Sequence, residues 1–127
     1  MAIKVITVGE KILGVNEEKA KENKKRLDGH GILTVNIMSS PGAGKTSLIL
    51  KTIIHLGKKA RIAVIEGDVA SSVDAEKVHR VGVPVVQINT AGGCHLDAFM
   101  VAEALDSLPL EKVNLLFIEN VGNLICP

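Results

Sequence analysis

Four short runs of mostly apolar residues recur along the chain, separated by longer segments with helix-like patterns. The runs are Ile32–Met38, Arg61–Gly67, Pro84–Asn89 and Asn114–Asn120. Nearly continuous apolar runs of this length are typical of strands covered on both faces of a parallel sheet. Strands that alternate with helices predict βαβ units. We therefore expect an α/β fold with a doubly wound, mostly parallel sheet flanked by helices.

Helices are predicted between these strands and ahead of the first one. The stretch Val15–Gly29 is polar, with Asn16 as a possible N-cap and basic residues near its end, and predicts a solvated helix leading into the domain. A basic docking surface is the weaker alternative for that helix. The three later helices are expected over Lys45 to about Gly57, Ser72–Val81 and Leu96–Ser107.

Composition limits the class of protein. The chain has 127 residues, enough for one domain, which we place at 30–127 after an N-terminal segment and helix at 1–29. Phe99 and Phe117 are the only aromatic residues apart from histidines, so the core must be aliphatic. The net charge of +1 favours neither nucleic acid nor a membrane as a partner. Two cysteines form no disulfide framework, and there is no signal-like apolar segment, so we expect a cytoplasmic protein.

The segment Ser39–Thr46 has the sequence SSPGAGKT and lies between a predicted strand and a predicted helix, the context of a P-loop. Glycines let the backbone wrap closely around phosphates, and N–H groups at the helix start attract anions. Lys45 is expected to neutralise the β- and γ-phosphates, and the Thr46 hydroxyl to bind Mg²⁺.

One position departs from the standard P-loop pattern, since Ser39 stands where a glycine is usual, and an accidental glycine-rich turn is the alternative interpretation. Nucleotide-binding domains of this type usually carry further strands, so we expect C-terminal strands of the sheet to be missing. The predicted nucleotide-binding residues are Ser40, Pro41, Gly42, Ala43, Gly44, Lys45, Thr46 and Ser47.

Two acidic residues lie at the ends of predicted strands. Asp68 ends the second strand and Glu119 the fourth, and the carboxyl ends of parallel strands form the edge where ligands bind. With Lys45, they are the predicted catalytic residues, and with Thr46 they are expected to hold Mg²⁺ directly or through water. The segment Asp68–Asp74 is a candidate switch that senses the γ-phosphate. Alternatively, Asp68 or Asp74 merely caps a helix.

A second group of chemically distinctive residues follows the third and fourth strands. Cys94 and His95 come after the third strand and Cys126 after the fourth, so we expect all three at the same edge. Thiolate and imidazole ligands suit Zn²⁺ or Ni²⁺, and a helix start beside Cys94 favours its thiolate. Three ligands leave a fourth to water or to another subunit across a two-fold contact.

Two other interpretations of the cysteines stay open. A buried cysteine often serves only as a small apolar side chain, and a Cys–His nucleophile pair is conceivable although adjacent side chains rarely point at each other. The remaining histidines lack cysteine or acidic neighbours and are expected at the surface. They are His30, His55 and His79.

Four segments together resemble the hydrogenase nickel-incorporation GTPases, the HypB family. They are SSPGAGKTSL, IEGDVASSVDAEKV, QINTAGGCHLDA and LLFIENVGNLICP, and the resemblance covers about Ile32 to Pro127. It makes Ser39 typical, because this departure is characteristic of the family. It implies a cytoplasmic, dimeric GTPase with slow intrinsic activity that binds GTP, GDP and Mg²⁺ and works with other hydrogenase maturation proteins. It also implies that Cys94, His95 and Cys126 hold Zn²⁺ or Ni²⁺.

The choice of GTP over ATP rests on this resemblance, because no Asn-Lys-x-Asp base-selecting motif occurs in the sequence. Urease-type nickel accessory GTPases are the nearest alternative. A P-loop kinase for a small molecule and a non-hydrolysing, nucleotide-gated scaffold are two further alternatives. In the favoured hypothesis, the γ-phosphate orders the switch, draws two subunits together and rearranges the metal ligands, so that metal and nucleotide affinities are coupled.

Overall fold

Four parallel strands form one sheet, and helices cover both of its faces. The computed structural model describes residues 10–38, 44–68, 73–89 and 96–120; the side chains of residues 10–13, 45, 68 and 73–75 lie outside that description. The strands are β1 (Leu33–Ile37), β2 (Ile62–Asp68), β3 (Val85–Asn89) and β4 (Leu115–Glu119). The helices are α1 (Glu10–Gly29), α2 (Lys45–Leu56), α3 (Val73–Arg80) and α4 (Ala98–Asp106), with short 3-10 turns at Gly57–Lys59 and Leu110–Lys112.

The strand order is β1–β4–β2–β3, and every pair is parallel. In the register of the sheet, Phe117 of β4 lies opposite Val35 on one side and Val64 on the other. Parallel neighbours need crossover connections, and α2, α3 and α4 provide them. The predicted doubly wound α/β fold is confirmed, with strand ends within about two residues of their expected places.

Alternation along the strands divides the apolar core between the two faces. Val64 and Phe117 pack with α2 and α3, whereas Ile65 and Leu116 pack with α1 and α4. The core is aliphatic, as predicted, with Phe117 its one phenylalanine among the described residues, since Phe99 is 40% exposed. The helix residues of the core are Ile49, Ile53 and Val78 on the first face and Leu27, Ala104 and Leu105 on the second.

The first helix departs most from its prediction. It begins at Glu10, so Asn16 lies within the helix and is not its N-cap. The Asn16 Oδ1 atom accepts from the Ala98 N–H at 2.8 Å, and Asn23 Nδ2 donates to the Ala98 carbonyl at 2.8 Å. Leu27 is buried in the core. This helix is therefore docked on α4 by two asparagines, a contact that hydrophobic periodicity cannot indicate.

No helix in the described ranges combines the length and the apolar composition that a membrane span needs. The longest of these helices, α1, has 20 residues, and most of the exposed residues in its described part, 14–29, are charged. Its contacts with the rest of the chain are polar as well as apolar, and include an exposed ion pair between Arg26 and Asp106 at 2.6 Å.

Candidate nucleotide and metal site

The first helix turn after the predicted P-loop is built on a glycine. Gly44 precedes α2 with φ 88° and ψ 21°, the left-handed conformation that other residues adopt only with strain. Its carbonyl accepts the Leu48 N–H at 3.0 Å and so begins the helix. The predicted phosphate ligands Ser40, Pro41, Gly42 and Ala43, and the side chain of Lys45, lie outside the described residues.

Thr46, in the first turn of α2, contacts the carboxylate at the end of β4. Its hydroxyl donates to Glu119, with Oγ1 2.8 Å from Oε1 and 3.0 Å from Oε2. Glu119 is only 6% exposed. The structure thus brings together two of the three predicted Mg²⁺ ligands, which are 73 residues apart in the chain. A hydroxyl and a carboxylate are the hard oxygen donors that Mg²⁺ prefers, so these residues fit that ion.

A second buried carboxylate lies next to Glu119, and sequence reasoning assigned it no role. Glu66 on β2 pairs in register with Glu119 on β4 and with Gln87 on β3, which places all three on the α2 side of the sheet. Glu66 is 1% exposed. Its signal in the sequence is a charge inside an apolar strand, two residues before Asp68 and therefore on the same face. Two carboxylates buried side by side repel each other when both are ionised, and a cation bound between them relieves that repulsion.

Asp68 is the last residue of β2 and lies in register with Asn89. Its side chain and the rest of the candidate switch up to Ser72 are outside the description. Asp74 is the second residue of α3 and is therefore not its N-cap. The backbone alone places Asp68 at the same sheet edge as Glu119, in agreement with its predicted position.

The predicted metal ligands Cys94, His95 and Cys126 lie outside the described residues, but their neighbours do not. Leu96 directly follows His95, and its N–H donates to Asn120 Oδ1 at 3.0 Å. Helix α4 begins at Ala98, where the N-cap Asp97 accepts from the Met100 N–H at 2.8 Å. The helix therefore starts two residues later than the predicted start at Leu96, and Cys94 precedes its N-cap by three residues in the chain.

The other histidines agree with their predicted place. All three are exposed in the structure: His30, His55 and His79. Within the described ranges, no group of three or more histidine, cysteine or acidic side chains is arranged to hold a metal ion. The assignment of Cys94, His95 and Cys126 as metal ligands stays a prediction, since these residues lie outside the described ranges.

A comparison with protein-family models matches residues 33–127 to the nucleotide-binding domain of the family CobW/HypB/UreG. The chain belongs to this family. The matched region begins at β1 and includes the whole of the candidate P-loop, Glu119 and the cysteines, so the family assignment covers the site described above.

Individual relatives agree with the family. The hydrogenase maturation factor HypB of Azotobacter vinelandii is 49% identical over 124 residues, 98% of this chain and 41% of that protein. A probable HypB of Methanocaldococcus jannaschii is 47% identical over 123 residues, 97% of this chain and 56% of that protein. The crystal structure of HypB from Helicobacter pylori in complex with nickel matches with a TM-score of 0.81 and 42% identity, over 88% of this chain and 53% of that chain.

These likenesses confirm the predicted resemblance to HypB and the fold of a nucleotide-binding P-loop domain. The chain spans about half the length of the relatives named above, between 41% and 56%. These likenesses establish the fold and the family of this domain.

Proposed function

We propose that this chain is the GTP-hydrolysing domain of a metallochaperone that assists nickel insertion during [NiFe]-hydrogenase maturation. The nucleotide half of the proposal rests on one observation, the hydrogen bond from the Thr46 hydroxyl to the buried Glu119 carboxylate, directly after the left-handed Gly44. The nickel half is supported by the likeness to HypB proteins, one of them in complex with nickel. That likeness also supports GTP as the nucleotide.

Each predicted residue has a defined role at the nucleotide. Ser40–Ser47 hold the phosphates, and Lys45 neutralises charge on the β- and γ-phosphates. Thr46, Asp68 and Glu119 offer oxygen ligands to Mg²⁺, directly or through water. When bound, Mg²⁺ supplies positive charge next to the phosphates. Asp68 and Glu119 also orient the attacking water, which makes them, with Lys45, the proposed catalytic residues.

Cys94, His95 and Cys126 form the proposed metal site, which takes Ni²⁺ as cargo or Zn²⁺. A thiolate and imidazole donor set fits either ion. Three ligands make half of a site, so a homodimer linked by nucleotide and metal completes it. In this proposal the γ-phosphate orders residues 68–74, the subunits approach, and hydrolysis returns the metal site to the state that releases nickel to another maturation protein in the cytoplasm.

The nucleotide half is tested with a matched pair of threonine variants on the same helix. Thr46→Ala removes the hydroxyl that contacts Glu119, whereas Thr52→Ala removes one that donates only to the Leu48 carbonyl within α2, at 2.8 Å. We expect Thr46→Ala to lower both the Mg²⁺ affinity and the rate of GTP hydrolysis by about 10- to 100-fold. Thr52→Ala should leave both within about two-fold of the wild type, a difference of under about 1 kcal/mol. Equal rates for the two variants would refute the assignment.

The metal half is tested by titrating GTP with and without Ni²⁺ or Zn²⁺, with Cys94→Ala as the comparison. Coupled sites predict that metal changes the nucleotide affinity of the wild type and not that of the variant. Identical affinities with and without metal contradict the proposed coupling. Nucleotide turnover that transfers the γ-phosphate to a small-molecule acceptor and is indifferent to Cys126→Ala identifies a kinase instead.

A further inference from the structure

Leu96 is held from two sides by residues that adjoin the acidic residues of the nucleotide site. It follows His95 in the chain, so it is the described residue next to the proposed metal ligands. One of its contacts is made by its backbone and the other by its side chain. Both contacts lie on the α1 and α4 side of the sheet, opposite Thr46.

The backbone contact runs through Asn120, which directly follows Glu119. Asn120 Oδ1 accepts the Leu96 N–H at 3.0 Å, and Nδ2 donates to Asn36 Oδ1 on β1 at 3.3 Å. The Asn120 N–H donates to the Ile37 carbonyl at 2.9 Å, in the last residue of β1 before the P-loop segment. Asn120 is 7% exposed. The side-chain amide of this buried residue thus joins β1 to the backbone after His95, and its backbone N–H fixes the end of β4 to the end of β1.

The side-chain contact is with Gly67, which directly precedes Asp68. A Cβ atom placed on Gly67 would lie 2.6 Å from Leu96 Cδ1, 2.7 Å from Cγ and 2.8 Å from Cδ2. The Leu96 side chain therefore packs directly on the β2 backbone, and only glycine leaves it that space. Gly67 is buried in the sheet, so the β2 backbone directly before Asp68 is in close steric contact with the Leu96 side chain.

We propose that Leu96, held by Asn120 and Gly67, is the mechanical connection between the nucleotide site and the Cys94–His95 segment, and that Asn120 is its principal positioning residue. This inference rests on the proposed function, since it explains how nucleotide and metal affinities are coupled. It assigns no ligand role to Asn120: the amide acts by fixing where the chain after His95 lies when Glu119 and β1 move.

The test compares Asn120→Ala with a second buried asparagine that lacks the connection. Asn23 is 8% exposed and donates to the Ala98 carbonyl, two residues beyond Leu96, but it belongs to α1 and not to a strand of the nucleotide site. Asn23→Ala therefore removes a similar buried hydrogen bond from the same chain segment. Asn120→Asp keeps an acceptor for the Leu96 N–H but loses the donor to Asn36 Oδ1, so it breaks only one of the two side-chain hydrogen bonds.

The measured quantity is the ratio of Ni²⁺ affinities with a non-hydrolysable GTP analogue and with GDP, obtained by competition with a chromophoric chelator. In the wild type we expect a ratio in the range of about 5 to 150. Asn120→Ala should bring the ratio to about 1, Asn23→Ala should retain most of it, and Asn120→Asp should give a value between the two. Because it is a ratio, a uniform change in metal affinity cancels.

The outcomes separate the inference from the function on which it depends. A wild-type ratio of 1 overturns the proposed coupling and this inference with it. A coupled wild type with an equally coupled Asn120→Ala overturns the inference alone, as does a loss of coupling in Asn23→Ala to the same degree. Should Asn120→Ala fail to fold, Gly67→Ala, which displaces Leu96 from its other side, decides the case: a retained ratio overturns the inference and a lost one supports it.

Discussion

The two faces of the sheet are built from the same four strands, yet they differ in what lies at their carboxyl ends. On the face covered by α2 and α3, the apolar core gives way to Glu119, Glu66 and Gln87 in one row across the sheet. On the face covered by α1 and α4, the apolar core continues to the strand ends. Ile118 belongs to it there, and the Leu96 side chain packs against Gly67. The α2 face carries the candidate chemistry, whereas the α1 face carries packing.

This difference follows from the period of two along a strand. Neighbouring residues such as Glu119 and Asn120 belong to opposite faces, so one contacts Thr46 and the other contacts Leu96. The same strand end can therefore serve a nucleotide on one side and position another chain segment on the other. Substitutions on the two faces should accordingly change different measured properties.

The largest expected effect is a loss of stability on the α1 and α4 face. Leu105 of α4 is fully buried, so Leu105→Ala should lower the free energy of unfolding by about 2–5 kcal/mol. Urea denaturation monitored by circular dichroism measures this. The folded fraction of this variant should bind nucleotide with wild-type affinity. If Leu105→Ala lowered the nucleotide affinity without lowering stability, the two faces would not be independent.

On the α2 face, Glu119→Gln should lower the rate of GTP hydrolysis while leaving the stability of the fold unchanged. It removes a negative charge next to Glu66 and Thr46 but keeps the shape and one acceptor oxygen, so the fold should be retained. We expect the rate of GTP hydrolysis at saturating Mg²⁺ to fall by about 100-fold, which corresponds to about 2.7 kcal/mol of activation free energy. Single-turnover hydrolysis and a thermal melt of the same sample measure both properties. A normal hydrolysis rate would remove Glu119 from the catalytic residues.

Gly67→Ala tests the close packing on the α1 and α4 face. The new methyl group overlaps Leu96, whose three nearest atoms would lie under 3 Å away, and should cost about 1–3 kcal/mol of stability. Gly14 of α1 is the matched control, since a Cβ there has nothing within 4 Å. Gly14→Ala should stabilise the helix by about 0.5–1 kcal/mol. Equal effects of the two substitutions in chemical denaturation would contradict the packing.

The smallest effect is expected from the exposed ion pair between α1 and α4. Arg26 and Asp106 are 2.6 Å apart, with side chains 39% and 69% exposed. A double-mutant cycle with Arg26→Gln and Asp106→Asn should give a coupling energy of about 0.2–1 kcal/mol that falls with added salt. A coupling above that range would mean that the ion pair, and not the asparagines and Leu27, is what holds α1 in place.

The accuracy of the sequence-based predictions depended on how local each signal was. The strands and α2 were predicted within about two residues, because apolar runs and a glycine loop are local patterns. The roles of Asn16 and Asn23 in α1 were missed, because their contacts with Ala98 are made with a distant segment. Glu66 was passed over although its charge lies inside an apolar strand, since a single strand does not reveal its neighbours.

The sequence by itself determined the alternation of strands and helices, the glycine-rich loop, and the identities of Glu119, Cys94, His95 and Cys126, because each is encoded in composition and spacing along the chain. Only the tertiary structure decided that Thr46 lies on Glu119, that Glu66 lies beside it, and that Asn120 and Gly67 hold Leu96. Those contacts join residues from different strands and helices. They arise from strand order and register, which depend on how the whole core packs and not on any local pattern.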